Sequence, residues 1–245
     1  MKNIAFHIEK GGTGKTTMAG NVGFELAYYG KTLLIDGDPQ GNLTSWYHPD
    51  AIEYDLADVL QQKARLSDAI TEIRDNLFLL PTIAIGGELK TWADHNQGAA
   101  SDAIGYLLDD AGASGFRTVV FDLGPGISDF ERSILARMHE VIGVTSAEYF
   151  SADGIEIFEH ELKNIIETRR AGFVANKLVI NRFYRGYAQH AATVRDIEDS
   201  PYIIFKVGQS TAISDCVPAH KSLFEYDPGN RYTSEIQRIA KAVCE

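Results

Sequence analysis

The sequence predicts an α/β fold in a single domain spanning residues 1–245, built on a mostly parallel, twisted sheet of about seven strands with helices on both faces. Strand-like and helix-like patterns alternate along the chain, which is typical of this class. The length of 245 residues and the hydrophobic content of 44% suffice for one well-buried core and are short for two. No glycine/serine linker, long charge run or internal repeat divides the chain.

The predicted elements follow one another at short intervals. Apolar and β-branched runs predict strands near residues 2–7, 32–36, 77–80, 117–122, 140–145, 174–180 and 202–206. Apolar residues at helical spacing predict helices near residues 15–30, 55–62, 99–112, 128–138, 151–170, 187–198 and 231–243. The least regular stretch, 81–98, is interpreted as a connection and not as a boundary between domains.

Three of the predicted loops are expected to meet at one edge of the sheet. Right-handed connections align the carboxyl ends of parallel strands, and open α/β sheets bind ligands at that edge. The loops concerned are 10–16, 36–42 and 122–128. The side chains expected to share one pocket there are Lys15, Thr16, Asp38 and Asp122.

A glycine-rich loop follows the first predicted strand. The apolar run Ile4–Phe6 leads into Lys10-Gly11-Gly12-Thr13-Gly14-Lys15-Thr16-Thr17, and an apolar helical pattern continues from Met18. Glycines let successive backbone N–H groups point at phosphate oxygens, while Lys15 reaches the β and γ phosphates and the Thr16 hydroxyl binds Mg²⁺. The pattern predicts a P-loop NTPase that binds a nucleoside triphosphate with Mg²⁺.

Lys10 distinguishes this loop from an ordinary phosphate loop, which does not require a lysine before its first glycine pair. With Lys10, the octet resembles the deviant Walker A motif of the ParA/MinD family of ATPases. The resemblance implies that Lys10 contacts the nucleotide held by a partner subunit, so that ATP binding is linked to homodimer formation. The alternative from the residue alone is a solvated surface lysine. The residues expected to bind ATP are Gly11, Gly12, Thr13, Gly14, Lys15, Thr16 and Thr17.

The second predicted strand ends in two aspartates. The strand 31–36 continues into Gly37-Asp38-Pro39-Gln40-Gly41-Asn42, which is similar to the D-x-D-P-Q-G-N segment of the ParA (Soj-like) branch. The resemblance implies that Asp38 orients the attacking water, a role that suits phosphoryl transfer because positioning contributes most of its catalysis. Asp36 is expected to support the loop or the outer shell of the metal. Without the phosphate loop, both would be interpreted as turn residues.

The run Thr118–Asp122 has the form of a Walker B strand, whose terminal carboxylate holds Mg²⁺ through water. This pattern is weak alone and gains weight from Lys15 and Thr16. The strand is followed by Leu123-Gly124-Pro125, where the family has x-P-P. This departure is expected to change how the end of the Walker B strand is coupled to the dimer interface.

Further segments extend the resemblance in colinear order. Residues 148–154 are similar to the E-Y-F-A-x-x-G stretch of ParA proteins, and residues 223–228 to their V-I-L-Y-D-P segment. Asn181, after the apolar strand 178–180, matches a residue near the adenine. The resemblance therefore covers nearly the whole chain.

Two relatives with the same loop are disfavoured. The chain has only Cys216 and Cys244, without C-x-x-C spacing, so a cluster-binding redox protein is not expected. A membrane-associated MinD protein needs an amphipathic segment after its last helix, and here residues 233–243 form that last helix. No apolar run approaches the roughly 18 residues of a membrane span. We therefore expect a cytoplasmic protein with no membrane partner.

DNA is an open partner. The formal net charge of −11 opposes general binding to phosphate backbones. Residues 1–170 carry 14 basic and 26 acidic side chains, however, whereas residues 171–245 carry 9 and 8. Arg195 aligns with an arginine of the family's nonspecific DNA surface, but both arginines of the family segment I-P-R-N-x-R are absent from 207–217. The alternative is a solvated face. Further candidate DNA contacts are Lys206 and Lys221, with Arg182 and Arg185 also available.

The resemblance implies a slow, Mg²⁺-dependent ATPase that dimerises on ATP binding and is stimulated by a partner. Three functions remain open. The first is plasmid or chromosome partition with a ParB-like centromere-binding protein, and the second is positioning of a protein cargo without DNA binding. The third is a small-molecule ligase or synthetase, which Lys10 and the colinear segments disfavour.

Overall fold

The computed structural model describes residues 1–8, 10–48, 52–96, 98–147, 152–184, 186–198 and 200–245. Within these ranges the strands form one sheet in the order β3-β4-β2-β5-β1-β6-β7-β8, and every pairing except β3 with β4 is parallel. The predicted fold class is therefore confirmed, with one strand more than the seven expected. The strands are β1 (Lys2–His7), β2 (Thr32–Asp36), β3 (Thr71–Arg74), β4 (Leu77–Leu80), β5 (Thr118–Asp122), β6 (Glu140–Ser146), β7 (Val174–Phe183) and β8 (Ile203–Gly208).

The additional strand is β3, which pairs antiparallel with β4 at the edge of the sheet. Its sequence Thr-Glu-Ile-Arg is polar at three of four positions, so it lacks the apolar run that revealed the other strands. The tight connection to β4 passes through Asn76, whose φ of 61° lies in the left-handed region that Asn tolerates. β3 is therefore a strand because it pairs with β4, and not because its residues have a high strand propensity.

Helices cover both faces of the sheet. One face carries a buried cluster that includes Leu107, Phe130 and Ile165, and the other a cluster that includes Met18 and Trp46. These two apolar layers confirm the predicted arrangement. The helices are α1 (Lys15–Leu26), α2 (Asn42–Tyr47), α3 (Leu56–Leu60), α4 (Leu66–Ala69), α5 (Leu89–His95), α6 (Ala100–Ala113), α7 (Asp129–Leu135), α8 (Ala152–Arg169), α9 (Ala188–Glu198), α10 (Thr211–Asp215), α11 (Leu223–Tyr226) and α12 (Thr233–Cys244).

The short helix α2 was not predicted. It follows Gly41, whose φ of 62° is left-handed and which has no side chain to cap the helix, so the usual N-cap signal is missing. An added Cβ at Gly41 would lie 2.9 Å from the backbone oxygen of Thr82. Close approach to the segment after β4, and not local propensity, therefore fixes the start of α2.

The central strands end level with one another at the edge where the loops meet. Asp36 of β2 stands in register with Asp122 of β5, which in turn stands in register with Phe6 of β1. The backbone N–H of Gly37 continues this pairing by donating to the Asp122 carbonyl at 2.8 Å. Two aspartates are thereby held side by side beneath the glycine-rich loop.

Several expectations concern other parts of the chain. Cys216 is buried and Cys244 half-buried, and neither forms a disulfide. No helix in the described ranges combines the length and apolar character that crossing a bilayer requires. Residues 148–151 of the E-Y-F segment, and Arg185, lie outside the described residues.

Candidate nucleotide site

The glycine-rich loop connects β1 to α1 and requires glycine at its last turn. Gly12 and Gly14 have φ of 74° and 99°, in the left-handed region. A Cβ at Gly14 would lie 2.2 Å from Nδ2 of Asn181. This amide donates to the Thr13 carbonyl at 2.9 Å, so Asn181 at the end of β7 braces the loop. Its predicted place near the adenine stays a prediction.

Lys15 folds back over the loop that precedes it. Its ammonium group donates to the carbonyls of Ile8 and Lys10, each at 3.2 Å, and its side chain is buried. Burial lowers the pKa of Lys15, while the charges of Asp122 and Asp38 raise it. The group is therefore a desolvated cation held at the loop, where it interacts strongly with phosphate.

Asp122 is fully buried beneath the loop. Neither of its carboxylate oxygens accepts a hydrogen bond of ordinary geometry from a described residue. Burial, followed by the charge of Asp36, raises the pKa of Asp122, which the Thr16 hydroxyl and Lys15 oppose. Unpaired carboxylate oxygens beside a threonine hydroxyl are ligands that suit Mg²⁺. The donor set therefore fits the predicted metal site of Thr16 and Asp122.

Asp36 accepts hydrogen bonds that hold the loop after β2 in place. Its Oδ2 accepts hydrogen bonds from the backbone N–H of Thr44 at 2.8 Å and from the Thr44 hydroxyl at 2.7 Å, while Oδ1 accepts from the N–H of Asp38 at 3.3 Å. Burial raises the pKa of Asp36 and the Thr44 bonds lower it. These contacts agree with the expectation that Asp36 supports the loop.

The network extends to Thr82, which the sequence did not single out. Its N–H donates to the Thr44 hydroxyl at 2.9 Å, and its own hydroxyl donates to the Asp36 carbonyl at 2.6 Å. The segment after β4 is thereby tied to the loop after β2. No short motif marks these threonines, because their partners are distant in sequence.

Asp38 lies in a turn that aims its carboxylate at the cavity. Its Oδ1 accepts from the N–H of Gln40 at 2.9 Å, and its carbonyl accepts from the N–H of Gly41 at 2.9 Å. Both Asp38 and Lys15 line the cavity, and the negative charge of Asp38 opposes the lowering of the Lys15 pKa by burial. The predicted partnership of the two residues at one site is therefore present.

These residues surround a cavity of about 770 Å³. Its floor is the loop 11–17, and Asp38, Leu123 and Pro125 form one side. Asp122 lies below this surface and not in the lining. The remaining wall consists of Gln40, Asn42, Ser45, Trp46, Arg182, Val217, Pro218 and His220.

Arg182 and the 217–220 wall were missed as cavity residues. Arg182 was considered as a DNA contact, yet it lines the cavity next to Asn181 and has a left-handed φ of 56°. The 217–220 wall is attached to α2 through Trp46, whose indole N–H donates to the Lys221 carbonyl at 2.9 Å. A ring nitrogen of His220, Nδ1, lies 2.7 Å from the Trp46 carbonyl oxygen. These contacts join residues that are far apart in the sequence, so the sequence alone does not reveal this wall.

The candidate DNA residues lie on three separate elements. Arg195 is exposed on α9, and Lys221 is exposed in the segment between α10 and α11. Lys206 is half-buried on β8, with its ammonium 6.0 Å from the centre of the Phe183 ring. Lys10, which is not one of these DNA candidates, is exposed at the phosphate loop.

Comparison with known proteins decides the family. A family model described as an AAA domain (AAA_31) matches residues 1–174. A ParA family protein of Chlamydia muridarum is 33% identical over 255 residues, covering 98% of this chain and 96% of its own. The chain belongs to the ParA/MinD family of P-loop ATPases.

Two further relatives show how far this ATPase resembles known chains. Uncharacterized protein BBD21 of Borreliella burgdorferi is 32% identical over the full length of both proteins. The chromosome-partitioning ATPase Soj of Treponema pallidum is 30% identical, and the match covers 67% of this chain and 64% of Soj. The similarity to Soj therefore covers about two thirds of each protein.

Solved structures show the same fold. Apo McdA of Cyanothece has a TM-score of 0.82 at 21% identity, with full coverage of both chains. The septum site-determining protein MinD of Pyrococcus horikoshii, complexed with Mg-ADP, has a TM-score of 0.80 at 23% identity, covering 99% of this chain and 95% of its own. With the family assigned, the protein is an ATPase, and the cavity over its P-loop is the candidate site for the nucleotide.

Proposed function

We propose that this ParA/MinD ATPase dimerises on binding ATP, hydrolyses it slowly, and drives DNA partition with a ParB-like centromere-binding protein. The observation that carries the proposal is the convergence of Lys15, Asp38 and Asp122 around one loop. The similarity to a chromosome-partitioning ATPase is the reason for proposing partition as the process that this ATPase drives.

Each residue at the cavity has a proposed task. Bound Mg-ATP supplies the transferable phosphoryl group together with a cation that neutralises its oxygens. Thr16 and Asp122 hold the cation, and Thr17 contacts the α phosphate. Lys15 and the loop amides stabilise the charge that develops on the phosphoryl group, because they are already oriented and desolvated. Asp38 orients the attacking water from the opposite side.

Lys10 is proposed to act in the partner subunit. Its side chain is exposed at the mouth of the loop, whereas Lys15 is buried within it. An exposed cation at that place can reach a nucleotide held by a second copy facing it. Two such lysines make ATP a shared ligand of the dimer, so nucleotide occupancy sets the oligomeric state.

Lys10→Ala tests this role. We expect loss of ATP-dependent dimers in light scattering, with ATP affinity of the monomer changed less than threefold. Lys163→Ala, which removes an exposed lysine of α8, is the matched control. Dimers that form equally well in Lys10→Ala contradict the crossing of Lys10.

DNA binding is supported by the exposed position of Arg195 and by the balanced charge of the C-terminal third. The absence of arginine from 207–217 supports the alternative, a positioning ATPase for a protein cargo that does not bind DNA. The two proposals share the ATP site and differ only in the surface that recognises the partner.

The deciding experiment measures binding to DNA of unrelated sequence. Asp38→Ala with Mg-ATP is compared with the same protein in ADP, at low and near-physiological salt. Partition requires ATP-dependent, salt-sensitive binding that Arg195→Ala weakens and Lys163→Ala does not. A confirmed ATP dimer without DNA binding favours the cargo-positioning function.

A further inference from the structure

The segment that follows β5 faces the Asp38 carboxylate at Gly124, a residue that has no side chain. Gly124 is buried two positions after Asp122. A Cβ placed on Gly124 would lie 3.3 Å from Oδ1, 3.4 Å from Cγ and 3.8 Å from Oδ2 of Asp38. These three carboxyl atoms are the nearest neighbours that such a Cβ would meet. The space that a side chain on Gly124 would occupy is therefore the space next to the Asp38 carboxylate.

Asp38 is restrained on its other side as well. Its Oδ1 accepts the N–H of Gln40, and its own N–H donates to Asp36. The Asp38 backbone therefore cannot retreat without breaking the buried contacts of Asp36. A methyl group at position 124 would lie closer to Oδ1 than an ordinary van der Waals contact, so the carboxylate would have to shift by a few tenths of an ångström.

The neighbouring residues place this contact between the two halves of the site. Pro125 lines the cavity, and a Cβ on Gly11 would lie 3.5 Å from the Pro125 Cβ, an ordinary van der Waals contact. Residue 124 thus lies next to the Asp38 loop, and residue 125 lies next to the phosphate loop.

We infer that Gly124 is a positioning residue for hydrolysis, whose missing side chain lets the Asp38 carboxylate settle between the β5 end and the Gln40 N–H. This inference rests on the proposed role of Asp38 in orienting water. Gly124 itself contacts no reacting atom. Its effect is on the place from which Asp38 acts, and a displacement of a few tenths of an ångström is enough to reduce a rate that depends on orientation.

The test is a double-mutant cycle of Gly124→Ala and Asp38→Ala, with single-turnover hydrolysis of radiolabelled ATP and ATP affinity measured on all four proteins. We expect Gly124→Ala to hydrolyse ATP about tenfold more slowly, with its affinity for ATP within twofold of the wild type. In the Asp38→Ala background, Gly124→Ala is expected to have no further effect. Gly172→Ala is the control, since a Cβ there meets no atom within 4 Å.

Thermal unfolding of the same proteins provides a second readout. Because the added methyl group meets Asp38 alone among its nearest neighbours, any loss of stability in Gly124→Ala should disappear when Asp38 is alanine. An unchanged hydrolysis rate, an equal loss of ATP affinity, or the same tenfold effect in both backgrounds would overturn the inference. Wild-type hydrolysis by Asp38→Ala would instead overturn the proposed role of Asp38.

Discussion

The central strands of the sheet and its β8 edge differ in whether their charged side chains are buried. At the ends of β1, β2 and β5, Lys15, Asp36 and Asp122 are buried, and each has a shifted pKa. At β8 and α9, Arg195 is exposed and Lys206 is half-buried. Burying charge is unfavourable unless a partner compensates it, so the first region indicates a charged ligand. Charge that is exposed to solvent carries no such penalty, so the second region does not by itself indicate a ligand.

The contrast is sharpest at Lys15, where the largest effect is expected. Lys15→Ala removes the buried cation from the loop, and hydrolysis should fall by at least about 100-fold because oriented charge at the phosphoryl group is lost. Phosphate release from Mg-ATP measures this. Lys31→Ala, which removes a lysine that packs over Phe78 and Phe116 away from the cavity, serves as the control. Similar losses in both variants would show that the effect comes from the fold and not from the site.

The buried network next to this site gives the second effect. Thr44→Val removes the hydroxyl that donates to Asp36 and accepts from the Thr82 N–H. The unfolding free energy should fall by about 2 kcal/mol, because a buried donor and a buried acceptor each lose a partner.

Urea denaturation measures the change in Thr44→Val. Thr168→Val, on an exposed position of α8, is the matched control and should shift the unfolding free energy by less than about 0.5 kcal/mol. Equal shifts in the two variants would mean that the Asp36 network contributes no special stability.

His7, at the end of β1, provides a pH-dependent test. Burial, and then the charge of Lys15, lowers the pKa of His7 from 6.5 to about 3. Below pH 6.5 the unfolded chain therefore binds a proton that the folded chain does not. Folding stability should fall by about 1.4 kcal/mol per pH unit as the pH decreases from 6.5 towards 3.

His7→Gln should remove this component of the slope between pH 6.5 and 5, measured by urea denaturation at several pH values. His160→Gln changes an exposed histidine of α8 and should leave the slope as it is. A wild-type slope in His7→Gln would show that other groups account for the loss of stability in acid.

The smallest effect is expected among the exposed charges. Arg238 forms an ion pair with Glu235 at 2.7 Å on α12, and 63% of the arginine side chain is exposed. Arg238→Ala should lower the unfolding free energy by about 0.5 kcal/mol or less, because solvent screens the pair. A loss above 1 kcal/mol in thermal or urea denaturation would remove the distinction between the central strands and the β8 edge.

Whether the contacts of a residue are local or distant in the sequence explains what could be predicted from it. The phosphate loop, Asp38 and Asp122 were found because glycine conformation, phosphate charge and strand ends fix their spacing. Thr82 and the 217–220 wall were not, because their contacts join residues far apart in the chain. Strand β3 was missed because its pairing, and not its composition, makes it a strand.

Asn181 and Arg182, which are neighbours in the sequence, show how far the site can be predicted from the sequence. The sequence indicated that Asn181 belongs to the nucleotide site, and its amide does contact the phosphate loop. It did not indicate that the next residue turns into the cavity, since a left-handed arginine has no signature in the sequence. Backbone conformation at a strand end is set by the surrounding packing.

Trp46 joins the loop that carries Asp38 to the far wall of the cavity. It lies on the six-residue helix α2, where Asp36 holds the first turn through Thr44 and the indole is hydrogen-bonded to Lys221. The chain contains only one other tryptophan. Light absorbed by this buried indole is re-emitted with an intensity that depends on its surroundings. Nucleotide that binds in this cavity is therefore expected to change the fluorescence of Trp46.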